Sequence, residues 1–229
     1  MSKRLIIAID GPAGAGKSTL ARRVAHRLGA IYIDTGAMYR AIALWALRQS
    51  IPCDDSHRLE VLAQHAKIEF HHGENRVQLN GEDVTDSIRT PQVATAASQV
   101  AAVAGVRRAM VTLQREIAAR SSVVMEGRDI GSVVFPDADV KIYLDASTEI
   151  RAQRRAQELT DKQIPFELTQ LQDQIEERDS RDRNRAASPL LQAADAIYLD
   201  CSSLSPTEVE EEILRIVRSK TSNGKALAS

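Results

Sequence analysis

Five short runs along the chain are apolar at nearly every position: Leu5–Ile9, Ala30–Ile33, Val123–Met125, Val140–Leu144 and Ala196–Leu199. They are rich in Val and Ile and lack the alternation of a strand with one wet face, so each reads as a buried parallel strand. Helical patterns separate them. In the segment from about Thr35 to Arg48, Met38, Ala41, Ile42 and Trp45 fall on one face. Strands alternating with helices predict an α/β fold with a five-stranded parallel sheet covered by helices on both sides. A last helix opens on Ser205-Pro206-Thr207-Glu208, a capping box with Pro in its first turn.

Two segments break the alternation. From Lys67 to Val84 the period is two: Ile68 and Phe70, then Val77 and Leu79, with turns at Gly73-Glu74-Asn75 and Asn80-Gly81. This predicts a small antiparallel insert. From about Ser147 to Asn184 two charged helices meet at Gln163-Ile164-Pro165. With little apolar surface to bury, they read as a mobile helical hairpin. A chain of 229 residues suits one substantial core with small lobes, so a single domain over 1–229 is expected.

Composition narrows the classes. Thirty Lys and Arg against thirty-one Asp and Glu leave a formal charge of −1, and aromatic residues are 3%, a poor match to a nucleic-acid-binding surface. Cys53 and Cys201 lie far apart and outside any ligand-spaced cluster, so a reducing compartment fits better than a disulfide or zinc framework. The adjacent His71 and His72 would point to opposite faces of a strand and make a poor metal pair. The run Leu5–Ile9 is too short for a secretory core, and no stretch approaches the roughly 20 residues that span a bilayer. A cytoplasmic protein without membrane or nucleic-acid partners is expected.

The strongest chemical signal is Gly11-Pro12-Ala13-Gly14-Ala15-Gly16-Lys17-Ser18, which fits G-x-x-x-x-G-K-[ST] between a buried strand and a helix. Glycines let backbone N–H groups turn inward around phosphate oxygens, and the helix start adds uncapped donors. Lys17 supplies a compact cation for β- and γ-phosphate oxygens, the Ser18 hydroxyl suits Mg²⁺, and Thr19 follows on the same helix start. ATP with Mg²⁺ is the expected donor.

Three clusters bear on the acceptor. Asp34-Thr35-Gly36-Ala37-Met38-Tyr39-Arg40 follows the second strand, where open parallel sheets hold ligands. Thr35, Tyr39 and Arg40 can grip a phosphate there; equally, the turn can be a capped helix start with a solvated arginine. Glu126-Gly127-Arg128-Asp129-Ile130-Gly131 follows the third strand, either as a ligand edge or as a tight turn with its own Arg–Asp pair. On the hairpin, Arg151, Arg154 and Arg155 share a helix face, and Arg178, Arg181, Asp182 and Arg185 repeat the spacing. Three arginines for one acid leave cation capacity for phosphates. Closing such a hairpin over the loop would neutralise a transferring phosphoryl group and exclude water.

With GPAGAGKS, DTGAMYR, IRTPQVATAASQVA, VRRAM, EGRDIGSVVFPDA, KIYLDAS and ERDSRDRNRAASPL in this order, the chain resembles the bacterial cytidylate kinases from about residue 5 to 217. The resemblance implies phosphorylation of CMP and dCMP by ATP, an acceptor-binding insert at about 65–105 and a lid at about 149–184; a monomer is expected. It assigns Ser98, Arg107 and Asp129 to cytosine, Arg40, Arg128 and Arg185 to the acceptor phosphate, and Asp182 and Arg178 to the sugar side. It places Arg151, Arg154 and Arg155 in the lid, and with Lys17 and Arg128 they form the expected catalytic set. Thr35 stands where Ser also occurs, and Glu126 where Asp can occur. Asp129 suits cytosine chemically: a carboxylate accepts from the exocyclic amine, whereas uracil would set a carbonyl against it. A kinase for shikimate or another nucleotide would lack this trio. A guanine-nucleotide switch would carry Asn-Lys-x-Asp, and no Asn here precedes Lys.

Overall fold

The computed structural model describes residues 4–70, 76–161, 163–184 and 188–222. The turn at 73–75, the pair His71–His72 and Arg185 lie outside the described residues.

Side chains of β1 (Ile6–Asp10) alternate between two apolar layers: Ile7 and Ile9 enter one, Ala8 the other. The same split recurs in β6 (Val123–Gly127), where Met125 joins Ala8 and Val124 joins Ile7. Strands apolar on both faces need cover on both, and helices provide it. The sheet runs β2-β6-β1-β7-β8, all parallel, with β2 at Ile31–Asp34, β7 at Val140–Asp145 and β8 at Ile197–Asp200. On one face lie α1 (Lys17–Leu28) and α8 (Pro206–Ser222). On the other lie α2 (Thr35–Arg48), α3 (Ser56–His65), α4 (Pro91–Val100) and α5 (Ala104–Ala118).

All five predicted strands form. β8 departs from the prediction in one respect: as an edge strand it alternates between half-buried and exposed positions, with Tyr198 stacked on Tyr143. α2 spans the predicted residues, with Met38, Ala41 and Ile42 fully buried and Asp34 capping its start through Ala37 N–H (2.9 Å). The capping box of α8 is reciprocal: Ser205 N–H donates to Glu208 Oε2 (2.8 Å) and Glu208 N–H to Ser205 Oγ (3.3 Å).

The small sheet is antiparallel, β3 (Ile68–Phe70), β4 (Val77–Leu79) and β5 (Glu82–Asp83). Asn80 and Gly81 both take left-handed backbone (φ 52° and 85°), the conformation of a two-residue hairpin turn. The charged hairpin is α6 (Thr148–Asp161) packed on α7 (Leu168–Asn184). Its interior holds more than the charge pattern suggests: Ala152, Leu159 and Leu171 are buried, and so is an ion pair, Arg151 to Asp179 (2.5 Å).

Candidate active site

Gly11 to Gly16 carry the chain from β1 to α1. At Gly11 (φ 147°) an added Cβ would fall 1.9 Å from the carbonyl oxygen of Leu144, so only glycine lets the loop leave the sheet there. Lys17 begins α1 and turns back into the loop, where Nζ donates to Pro12 O (2.6 Å). Burial, then the charge of Arg128, lowers its pKa to about 7, with Glu126 opposing the shift. Glu126, the last residue but one of the neighbouring strand, is buried and accepts a hydrogen bond from Tyr32 Oη (2.7 Å). Burial and the like charge of Asp34 raise its pKa, while Lys17 and hydrogen bonds from Ser18 and Tyr32 lower it.

Magnesium suits this corner. Ser18 is an exposed residue whose hydroxyl hydrogen-bonds Glu126, and Glu126 and Asp34 are carboxylates whose mutual repulsion a hard cation would relieve. No group of three His, Cys, Asp or Glu side chains that could hold a metal occurs among the described residues.

A cavity of about 530 Å³ opens beside the loop, between the start of α2, the ends of α4 and β6, α5 and α7. Thr35, Tyr39, Arg40, Ser98, Arg107, Arg128, Asp129, Arg178 and Asp182 all line it. The structure thus brings together every described residue expected at the acceptor. At its inner end Arg107, 4% exposed, makes an ion pair with Asp129, 5% exposed, and lies 5.5 Å over the Tyr39 ring. Toward the mouth Arg128 Nε donates to Asp182 Oδ2 (2.8 Å), and Arg40 pairs with Asp34 (2.9 Å). Desolvation, and then the charge of Arg128, lowers the pKa of Arg178, with Arg40 and Arg181 adding to the crowding. Such a concentration of guanidinium groups favours an anion.

The alternatives open at the sequence level resolve in particular ways. Asp34 both caps α2 and holds Arg40. Arg128 reaches across to Asp182 on α7 and Asp129 to Arg107 on α5, so both link the turn to other elements. The Thr35 hydroxyl donates to Glu126 O (2.7 Å), an anchoring bond within the wall of the cavity.

The three arginines of α6 separate. Arg151, 3% exposed, bonds Ala146 O (2.9 Å), Ala13 O (3.0 Å) and Asp179, tying the loop to both hairpin helices. Arg154 reaches Ala15 O (3.2 Å) and Cys201 O (2.8 Å) and lines a second cavity of about 390 Å³. That cavity runs from Gly14–Leu20 to Leu204, Pro206 and Val209. Arg155 is half exposed, pairs with Glu158 (2.8 Å), and lines neither cavity. Sharing a helix face has not given these residues a shared partner.

Comparison with known proteins decides the family. The cytidylate kinase family model matches residues 7–219. A cytidylate kinase of Solibacter usitatus (strain Ellin6076) is 60% identical over 225 residues, 97% of this chain and 96% of that one. Another, of Bacillus cereus (strain ATCC 10987 / NRS 248), is 50% identical over 219 residues, 95% of this chain and 97% of that protein. The chain belongs to the cytidylate kinase family. Among solved structures, an uncharacterized protein from Eubacterium ventriosum ATCC 27560 shares the fold (TM-score 0.56, 10% identity, 94% of this chain and 99% of that one).

In this kinase several residues at the site carry little sequence signal. Asp10 lies at the end of β1, 5% exposed, and accepts from Ile130 N–H (2.8 Å) and Gly131 N–H (2.7 Å). Burial raises its pKa to about 6, against the pull of those two bonds. Asp179 sits in a charged run and reads as solvated; Tyr32 reads only as part of a strand. The signal available for Asp10 is a carboxylate closing an otherwise apolar strand.

Proposed function

We propose that this kinase transfers the γ-phosphoryl group of ATP to the phosphate of CMP and dCMP. A CMP phosphate oxygen attacks the γ-phosphorus, and the bond to the bridging oxygen breaks with its electrons going to ADP. The observation that carries the reading is the buried Arg107–Asp129 pair at the closed end of a cavity whose mouth is rich in arginine. A carboxylate and donors at the inner end match cytosine, and guanidinium groups nearer the phosphate loop match the acceptor phosphate.

Lys17 and Arg128 lie within Coulomb reach of each other and repel. Two phosphate groups meeting between them would relieve that repulsion as charge spreads over the transferring group. Bound at Ser18, Mg²⁺ would supply further neutralisation of the β- and γ-oxygens. Arg154, already on the loop carbonyl of Ala15, is the lid arginine best placed to follow the donor phosphates. We assign α6–α7 as the lid and the segment at about 65–105 as the acceptor-binding insert. We propose that it acts as a monomer. No described helix is long and apolar enough to cross a membrane, and the cytoplasm is the setting we propose.

The test is a panel of CMP, dCMP, UMP, AMP and shikimate with Mg-ATP and the purified protein. Preferential formation of CDP and dCDP is expected. Equal turnover of UMP, or turnover of shikimate alone, would overturn the reading.

A further inference from the structure

The turn after β6 is a single π-helical turn, Ile130–Val134, with Asp129 at its N-cap. The first N–H groups of such a turn have no partner within it, and an N-cap aspartate ordinarily accepts from the second or third of them with its own carboxylate. Here Asp129 does not cap. Its side chain lies against Arg107 and lines the acceptor cavity.

The first two N–H groups of the turn, including the one an N-cap at Asp129 would take, are instead held from 120 residues away. Asp10 Oδ1 accepts from Ile130 N–H and Oδ2 from Gly131 N–H. Asp10 stands opposite Gly127 in the parallel pairing of β1 with β6, so its carboxylate reaches the turn directly. Gly131 leaves room for it: an added Cβ would sit 3.3 Å from Asp10 Oδ2 and 3.1 Å from the Lys141 side chain. Both oxygens are thus engaged by the turn. Asp10 is also the residue before Gly11, so one side chain ties the start of the phosphate loop to the acceptor site.

We infer that Asp10 is a positioning residue for nucleobase recognition: by capping the Ile130–Val134 turn in place of Asp129, it releases the Asp129 carboxylate to face the base. Without this remote cap, Asp129 is drawn back to its own turn and away from Arg107. The inference rests on the proposed reading that Asp129 meets cytosine.

Asp10→Asn tests it. The amide keeps the size but sets an N–H₂ donor against one of the two backbone donors. The CMP KM should rise about tenfold, the factor that goes with one displaced hydrogen bond. The CMP-to-UMP ratio of kcat/KM should fall about as far. Asp10 also lies near Lys17, so kcat itself can change. The base ratio is insensitive to that, because the donor side is common to both substrates.

Asp129→Ala is measured in parallel. A ratio that collapses in Asp129→Ala and holds in folded Asp10→Asn overturns the positioning role and leaves the base reading intact. A ratio unchanged in both overturns the base reading and the inference with it. Should Asp10→Asn not fold, Gly131→Ala, which crowds the same carboxylate, is read by the same criteria.

Discussion

Lys17→Met separates two effects of one buried ammonium. In the nucleotide-free protein the charge is unfavourable: burial and Arg128 pull its pKa from 10.5 to about 7. At about 1.36 kcal/mol per pKa unit this corresponds to an upper bound of ~5 kcal/mol. Part of it is recovered in the same substitution's loss, since the hydrogen bond to Pro12 O disappears at roughly 1.5–3 kcal/mol. Methionine is of similar length and uncharged, so the apoprotein should gain ~2 kcal/mol, about 4–8 °C in Tm for a chain this size.

The pH dependence is distinctive. An unfolded lysine holds its proton to pH 10.5, whereas Lys17 in the folded protein releases it near pH 7. Between those values the unfolded chain binds more protons, so this group makes wild-type stability rise with pH. The variant lacks that contribution, and its Tm advantage should be full at pH 6.5 and shrink toward pH 10. Calorimetry of both apoproteins at pH 6.5, 8 and 9.5 measures it. Meanwhile phosphoryl transfer should fall by about 10²–10³ in kcat, the effect of removing one preorganised transition-state donor. A variant less stable than wild type at pH 6.5, or one with kcat within tenfold, would refute the assignment.

Two further substitutions probe the acceptor and the lid. Asp129→Ala should reduce the CMP-to-UMP ratio of kcat/KM at least tenfold, and stranding Arg107 should destabilise the fold by ~3–5 kcal/mol; an unchanged ratio places base reading elsewhere. Arg154→Ala removes the bonds to Ala15 O and Cys201 O and should lower kcat about 10–100-fold with less than about a threefold change in CMP KM. If kcat is intact, Arg154 is a strut between loop and strand.

The strands and the phosphate loop were legible because their signals are local. Apolar runs of Val and Ile have few alternatives, Asn80-Gly81 suits one hairpin turn, and the loop motif carries its own context. The hairpin was legible only as far as its helices. Spacing told which arginines share a face of α6, but not that Asp179 waits opposite Arg151. Nor did it show that Arg155, with Glu158 at i+3, turns to solvent and lines neither cavity. Partners across an interface depend on how two helices dock, and a charged run such as Glu176 to Asp182 looks the same whether wet or buried.

The active edge nevertheless leaves a mark in the sequence that strand counting passes over. Each of the five core strands finishes on or beside a carboxylate: Asp10, Asp34, Glu126, Asp145 and Asp200. A buried strand gains nothing in stability from ending on a charge that must then be desolvated. Each carboxylate is instead engaged: Asp10 at the π turn, Asp34 at α2 and Arg40, Glu126 at Tyr32, Asp145 at Ala146 N–H and Asp200 at Ser202. The two nearest the loop, Asp10 and Glu126, are buried and have raised pKa values, so their charge is tolerated at a cost where Lys17 and a bound cation can compensate it. Acidic residues closing apolar runs therefore locate the ligand edge of this sheet before any motif is recognised. They also explain why Asp10, which no motif names, sits between the phosphate loop and the turn that carries Asp129.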